Sequence, residues 1–271
     1  MTGSQLTKQD GNPECVFTGT GGCAGPVLAD ITCPDGIVHV TVDPAVTVAR
    51  VQVRTDDPTG PAADAVRNTR IHQTAERLTV VVPPVAPTVQ RFNHSGVSFG
   101  GSRYSSMTVN GVTFHSVGDN GVSVVQGTTG VEVLVTLPAG SGVRSSSENG
   151  SLHVYGVLAA LEAVASNGGS IHAETVGRVK ADAVNGCIKV GTITEWIDAD
   201  SSNGGVTVGN YVGHAARVRS DNGAVAIAVG AAATGQINAD SGNGSVTLRG
   251  VRGRSDLDVK ASSGNGTVKK F

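Results

Sequence analysis

The chain has 271 residues and a formal net charge of −2, with 15% charged residues. This balance leaves no basic field that would attract nucleic acid and no acidic tail. Glycine occurs 38 times while aromatic residues make up only 3%. The core must therefore be built from small aliphatic side chains, which fill thin layers better than a thick globular core.

Export and membrane insertion are not expected. The start, MTGSQLTKQD, is polar and no apolar run follows it, so we expect no secretory signal and a cytoplasmic location, with a virion or cell surface as the alternative. No stretch approaches 18 consecutive apolar residues, as a transmembrane helix requires. Cys15, Cys23 and Cys33 lie close together without the spacing of a zinc site, so free thiols are expected and a disulfide among them stays open.

Residues 37–106 read as a β-rich region with one short helix. IVHVTVDPAVTVARVQV, residues 37–53, alternates with period two and breaks at Asp43-Pro44, which indicates two strands and a turn. A short helix is predicted over 61–70, with Pro61 in its first turn. RLTVVVPP, residues 77–84, predicts a further strand. Residues 85–106 are rich in Gly, Ser and Asn and predict a loop or an exposed arm.

From residue 107 onward the chain reads as short strands and turns that repeat. Asn-Gly begins at positions 149, 167, 185, 203, 222, 243 and 265, which gives spacings of 18, 18, 18, 19, 21 and 22. A period near twenty residues is typical of stacked-repeat architectures. Asn-Gly favours a tight turn because both residues tolerate positive φ. We therefore expect an Asn-Gly corner in every coil, with positive φ at one or both of its residues.

Side chains of the same size recur at the same distance from each Asn-Gly. The residue three after Asn is apolar except in the 167 repeat, which carries one extra residue and supplies Ile171 instead. The residue two before Asn is always small, as expected beside a sharp corner. The apolar row comprises Leu152, Ile188, Val206, Val225, Val246 and Val268. The same register extends upstream to Val143–Ser147 and to Phe114 and Ser116. Such stacking of like on like indicates a β-solenoid, in which each coil lies about 4.8 Å above the last.

The predicted fold is therefore all-β, with a single-stack β-solenoid of about seven coils of 18–22 residues. It divides the chain into a Cys-containing segment at 1–36, the β-rich region at 37–106 and the solenoid at 107–271. Alternating charges on outward positions, such as Glu162, Lys180, Asp198 and Arg217, need no ligand to explain them.

The repeat resembles a known family. The motif small-x-Asn-Gly-x-Val-x-Val, the stretch VEVLVTLPAGSGVRSSSENGSLHV and the upstream RVQVRTDDPTGPAADAVRNTRIHQTAERLTVVVPP are similar to the bacterial β-strand repeat family known as putative adhesins, a domain of unknown function. The likeness covers residues 37–271. It implies a β-solenoid without a known catalytic site, and the family includes cytoplasmic forms.

Three groups of residues are candidates for catalysis or metal binding. GVSFG at 96–100 fits a nucleophile elbow around Ser98, but a Gly/Ser-rich stretch follows where that motif needs a helix. Asp182 and Asp200 are like charges on neighbouring coils. A bound calcium ion would explain them, and so would solvation of both carboxylates beside Arg219. His153 and His172 occupy matching outward positions, which favours a stacked ladder over a shared metal. An enzyme acting on carbohydrate or ester would depend on Ser98 or the aspartate pair, and no cofactor or metal is predicted.

The leading hypothesis is a non-enzymatic, structural or adhesin-like interaction protein with a protein partner or self-association. A carbohydrate partner has no supporting motif. The alternative is a subunit of a larger assembly, such as a virion decoration protein or a polymerising scaffold, although Lys269 and Lys270 would blunt an open end. Arg and aromatic side chains are typical of contact surfaces. The predicted contact residues are Arg91, Phe92, Phe99, Arg103 and Tyr104 in the arm, and Trp196 in the repeats.

Overall fold

The computed structural model describes residues 5–9, 12–19, 23–86, 89–92, 106–109, 112–116, 122–125 and 130–271. The described part contains 23 strands and one helix, so the all-β prediction is confirmed. Among the described residues, no helix has the length and apolar character needed to cross a membrane.

The elements fall into three groups along the chain. The N-terminal group is β1 (Gln5–Gln9), β2 (Asn12–Thr18), β3 (Leu28–Thr32), β4 (Gly36–Val42), β5 (Arg50–Arg54), α1 (Pro61–Arg67), β6 (Arg70–Gln73) and β7 (Arg77–Val81). The second group is β8 (Val89–Phe92), β9 (Ser106–Val109), β10 (Val112–Ser116) and β11 (Val122–Val125). The third group is β12 (Val131–Leu137), β13 (Gly142–Ser147), β14 (Ser151–Ala165), β15 (Ile171–Ala183), β16 (Ile188–Ser201), β17 (Val206–Tyr211), β18 (Ala215–Ser220), β19 (Val225–Val229), β20 (Gly235–Ser241), β21 (Val246–Arg249), β22 (Leu257–Ser263) and β23 (Val268–Lys270).

Parallel pairing builds the predicted β-solenoid, with about seven turns. On its first face β7, β3 and β13 are followed by the second halves of β14, β15 and β16, and then by β18, β20 and β22. On its second face β12 and β4 are followed by the first halves of β14, β15 and β16, and then by β17, β19, β21 and β23. The N-terminal strands therefore share one sheet with the repeats.

The predicted vertical rows are confirmed. On the second face Ile188 pairs with Val206, Val206 with Val225 and Val225 with Val246, and each of these four side chains is fully buried. On the first face Ala199 is 1% exposed while its neighbour Asp198 is exposed. The sequence therefore predicts correctly which residues of these strands point into the core and which point outward.

The reason for glycine at the corners differs from the prediction. Among the described residues, no glycine of an Asn-Gly pair has positive φ, which occurs at other glycines instead. Instead, a Cβ on Gly186 would lie far inside 3.0 Å of the carbonyl oxygen of Gly169, one coil earlier. Gly204 stands in the same relation to Gly186. Glycine is needed at these corners because close stacking of backbone on backbone excludes a side chain there. Positive φ at the corner asparagines stays a prediction.

The corner at 167 shows the same constraint in another form. This repeat carries one extra residue, and a Cβ on Gly168 would meet nothing within 4 Å. Gly169 takes the stacking position instead, over the carbonyl of Gly150.

The corner asparagines form a hydrogen-bonded column, called here the amide ladder. Side-chain bonds of 2.5–2.8 Å join Asn203 to Asn185, Asn222 to Asn203, Asn243 to Asn222 and Asn265 to Asn243. In each of them Nδ2 donates to Oδ1 one coil earlier, and an amide can do so at every coil because it carries both a donor and an acceptor. The ladder ends where Asn185 donates to the backbone carbonyl of Asn167 at 3.0 Å. Two corners before Asn185, Asn149 donates to Oδ1 of Asp35 at 2.7 Å.

The small residue before each corner has a second role in the later coils. Oγ of Ser220 accepts the N–H of Gly223 at 2.8 Å and donates to the carbonyl of Gly204, one coil earlier, at 2.8 Å. Ser201, Ser241 and Ser263 make the equivalent pair of bonds. The sequence analysis explains a small residue, Ala or Ser, at this position by the limited space. The hydrogen bonds between coils explain why the later coils have Ser rather than Ala.

Antiparallel strands and the helix cover the N-terminal end of the stack. β12 lies between β4 and β5, and β5 continues through β2 to β1 on the second face. The helix begins with Pro61 as predicted, ends at Arg67, and buries Ala62, Ala65 and Val66. It packs on β2, β5 and β12.

β8 to β11 form a separate antiparallel sheet in the order β8-β11-β10-β9. Two predictions are corrected here. Val89–Phe92 is a strand rather than part of a loop, because it pairs with Val122–Val125. Phe114 pairs antiparallel with Met107 and Val124 and so does not continue the solenoid register.

Replacing Gly169 with Ala should lower the free energy of unfolding by about 1–3 kcal/mol, because the added methyl group meets the Gly150 carbonyl. Gly168→Ala is the matched control and should leave stability unchanged or raise it by up to about 1 kcal/mol. Urea denaturation of both variants measures this difference, and equal losses would contradict the stacking explanation.

Ser220→Ala should lower the free energy of unfolding by about 1–3 kcal/mol, because a partly buried N–H and a partly buried carbonyl lose their partner. Ser202→Ala removes a hydroxyl of a partly exposed neighbour and should change stability by less than about 0.5 kcal/mol. Thermal unfolding by calorimetry compares the two. A loss at Ser220 no larger than at Ser202 would show that the serine bonds are dispensable.

Candidate interaction site

The predicted contact residues lie in two different parts of the molecule. Trp196 is in β16 on the first face, half-buried between the strand neighbours Arg178 and Ala215. Beside it Arg178 and Glu195 form an ion pair of 3.7 Å. Arg91 and Phe92 lie in β8 of the separate sheet, while Phe99, Arg103, Tyr104 and Ser98 lie outside the described residues. The contact role of these residues stays a prediction.

The stretch between β7 and β12, called here the insertion (residues 83–130), stands at one corner of the stack. Val81 pairs with Thr32 and Val131 pairs with Gly36. The insertion therefore spans the same gap that the short corner after Thr32 spans in the adjacent coil. Val82 N donates to Thr32 O at 2.9 Å, just as Cys33 N donates to Ser146 O at 3.1 Å.

Asp35 joins this insertion to the first corner of the repeats. Its Oδ1 accepts from Nδ2 of Asn149 at 2.7 Å, and its Oδ2 accepts from the backbone N of Val85 at 3.1 Å. One carboxylate thus connects the first residues of the insertion to the corner asparagine Asn149. Sequence reasoning missed this residue, because Asp35 lies more than 100 positions from Asn149 and outside the repeats.

Cys33 at this corner is a buried free thiol, as is Cys15 in β2. Burial raises the pKa of Cys33 to about 12, and the charge of Asp35 acts in the same direction. The thiol therefore stays neutral and packs as a small apolar group.

A charged depression of about 150 Å³ lies on the first face, in the part of the stack that carries the aspartate pair. Its lining includes Lys180, Asp182, Asp198, Asp200, Arg217 and Arg219. Partial burial raises the pKa of Asp182, Lys180 opposes this rise, and Asp200 adds to it. Asp182 and Asp200 are both exposed. Solvent and the neighbouring cations therefore account for these carboxylates without a calcium ion.

Histidines form the expected stacked column on the second face, called here the imidazole column. The ring centroids of His39 and His153 are 5.2 Å apart, as are those of His153 and His172, with 22° between the planes of each pair. Because the nitrogen lone pairs lie in the ring planes, facing rings do not point them at a common ion. Burial, together with His172 and His39, lowers the pKa of His153. The shared metal between His153 and His172 is thus not supported.

The C-terminal end of the stack carries a lysine at an inward position. Lys270 pairs with the fully buried Leu248, and its Nζ reaches across to donate to the carbonyl of Val259 at 3.2 Å. Val268 is 41% exposed, whereas its partner Val246 is fully buried. An inward-pointing charge opposes further sheet growth, because a next layer would bury it.

No protein-family model matches the chain, and no curated protein matches it. Several solved structures are similar to it at low identity. One is a putative adhesin from Bacteroides fragilis, with 12% identity, a TM-score of 0.47 and coverage of 99% of this chain and 100% of that chain. A putative lipid binding protein from Parabacteroides distasonis has 12% identity, a TM-score of 0.45 and coverage of 97% and 98%. A putative cell adhesion protein from Clostridium sporogenes has 11% identity, a TM-score of 0.43 and coverage of 96% and 98%.

Lys270→Leu should promote end-to-end association, because it replaces the inward charge by the side chain that the preceding coil carries there. Lys189→Leu is the control, since it makes the same change on the outside of the stack. Sedimentation velocity over a range of concentrations should show larger species only for Lys270→Leu. Equal behaviour of the two variants would contradict a blocking role for Lys270.

Proposed function

We propose that the chain is a non-enzymatic, adhesin-like interaction protein. In it, the β-solenoid is a rigid support and the insertion with β8 to β11 is the recognition element. The observation that carries the proposal is the place of the insertion, which replaces a single short corner and is bonded through Asp35 to Asn149 at the corner above it. A segment attached at one corner can vary without disturbing the stack.

The support is stiff because coils are joined in three ways. Parallel backbone hydrogen bonds run along both faces. The amide ladder and the serine hydroxyls add side-chain bonds at the corners. Binding residues are often found on loops that a rigid scaffold positions, and the insertion stands in this relation to the solenoid.

The insertion offers two means of contact. β8 is an edge strand, which within the described part of the chain pairs with β11 alone. An edge strand presents backbone groups to which an extended partner segment can pair. The insertion also contains five of the six predicted contact residues, the exception being Trp196, and Arg and aromatic residues are enriched in interface cores.

The alternative functions have less support. The acidic residues on the first face are exposed and beside Arg217 and Arg219, so they resemble a solvated surface more than a general acid-base pair. For the polymerising scaffold, Lys270 lies across one end of the core and α1 packs over the other.

The experiment removes the insertion and restores a corner. Val82-Pro83 corresponds in position to Cys33-Pro34 of the adjacent coil. The variant lacks residues 85–130 and carries Pro84→Asp. Its Val82 is then joined to Val131 by Pro-Asp, as Cys33 is joined to Gly36 in the corner that contains Asp35. Far-ultraviolet circular dichroism should stay β-rich and the melting temperature should fall by only a few degrees. Binding of partners, measured by pull-down, and self-association, measured by light scattering, should be lost.

Trp196→Ala is the matched variant on the stack, because it removes the one predicted contact residue outside the insertion. It should retain binding if recognition lies in the insertion. Binding that survives the deletion but is lost in Trp196→Ala would place recognition on the first face instead. A shortened chain that no longer folds would show that the insertion is part of the solenoid's own structure.

A further inference from the structure

The imidazole column ends beside a thiol. Strand register places Cys187 one position before Ile188, between Ser170 of the preceding coil and Gly205 of the next. Since Gly205 has no side chain, nothing on that coil covers the sulfur, and Cys187 is exposed. It differs in this from the buried Cys15 and Cys33.

The sulfur stands next to a ring nitrogen. Sγ of Cys187 is 3.8 Å from Nε2 of His172 and 3.4 Å from Oγ of Ser170. A zinc-sized ion binds nitrogen at about 2.0–2.1 Å and sulfur at about 2.3 Å. With a nitrogen–metal–sulfur angle of roughly 110–120°, the two ligand atoms lie about 3.6–3.8 Å apart. The observed separation therefore suits a shared ion without movement of either strand.

We propose that His172 and Cys187 form a binding site for a thiophilic transition-metal ion of the zinc(II) class. Thiolate and imidazole are the ligand pair that such ions prefer over magnesium or calcium. On binding, the sulfur–hydrogen bond of Cys187 breaks, the proton passes to water, and Sγ and the unprotonated Nε2 each donate an electron pair to the ion. No oxidation or reduction takes place.

The remaining coordination positions belong to water. Within the described residues no group of three or more His, Cys, Asp and Glu side chains is arranged to hold a metal ion. With two protein ligands the site is open, and its affinity is lower than that of a closed structural zinc site. Lys189 follows His172 in the outward row and is exposed, so its charge opposes the ion. Lys189→Gln should therefore tighten binding.

Cobalt(II) and zinc(II) salts test this site on the full chain under reducing conditions. Cobalt should give a sulfur-to-metal charge-transfer band in the near ultraviolet, and zinc binding is measured by calorimetry. Cys187→Ser should abolish the band. Cys187→Ser and His172→Gln should each weaken zinc binding at least about tenfold, since loss of an outer-shell partner alone costs about 10–100-fold.

His39→Gln is the control, because His39 belongs to the same column but contacts Glu132 rather than a thiol. It should bind zinc like the unmodified chain. The proposal is overturned if no charge-transfer band forms, or if either Cys187→Ser or His172→Gln binds zinc as tightly as His39→Gln. The test needs no knowledge of the partner and so stands apart from the proposed function.

Discussion

The close stacking of one corner on the next is the constraint on which the rest of this structure depends. Parallel coils lie about 4.8 Å apart, and at the corners the backbone turns so that each glycine meets the carbonyl of the glycine one coil earlier. No side chain fits between them. The neighbouring positions then follow, since a primary amide and a hydroxyl are the groups that can bond upward and downward at this spacing.

This constraint also explains where the molecule departs from regularity. A corner that carries the amide ladder cannot be lengthened freely, because the ladder would lose a member. The long insertion lies outside the ladder, beside Asn149, where Asp35 takes the place of an asparagine and accepts hydrogen bonds from both sides. A carboxylate suits this place, since it has two acceptor oxygens and needs no donor of its own. Asp35 thus links the proposed recognition element to the regular stack.

The repeats could be predicted from the sequence because their signal is local and recurs. The rows through Ile188 and Val206, and the contrast between Ala199 and Asp198, follow from counting from each Asn-Gly. The cause of the glycine could not be read in this way, since tolerance of positive φ and exclusion of a side chain favour the same residue. Phe114 was misplaced because an antiparallel strand has the same period of two as a solenoid strand.

The candidate sites were predictable only in part. The stacked positions of His153 and His172 follow from the repeat register, but the contact between His172 and Cys187 depends on side-chain direction at a corner. Asp35 depends on a pairing between distant parts of the chain, for which a single sequence carries no periodic signal.

The order of strands at the N-terminal end has a consequence for how the chain folds. β12 lies below β4 and is followed in sequence by β13, which lies above β3, so the layer made by β3 and β4 is enclosed by later segments. Neighbouring coils of the repeats close loops of about 18–22 residues, whereas Val40 must meet Val135, a separation of 135 − 40 = 95 residues. Closing long loops costs more entropy and slows folding. The repeats are therefore expected to fold first, and the enclosed layer of β3 and β4 last. The segment that is synthesised first would thus reach its folded structure only after the later segment has been synthesised.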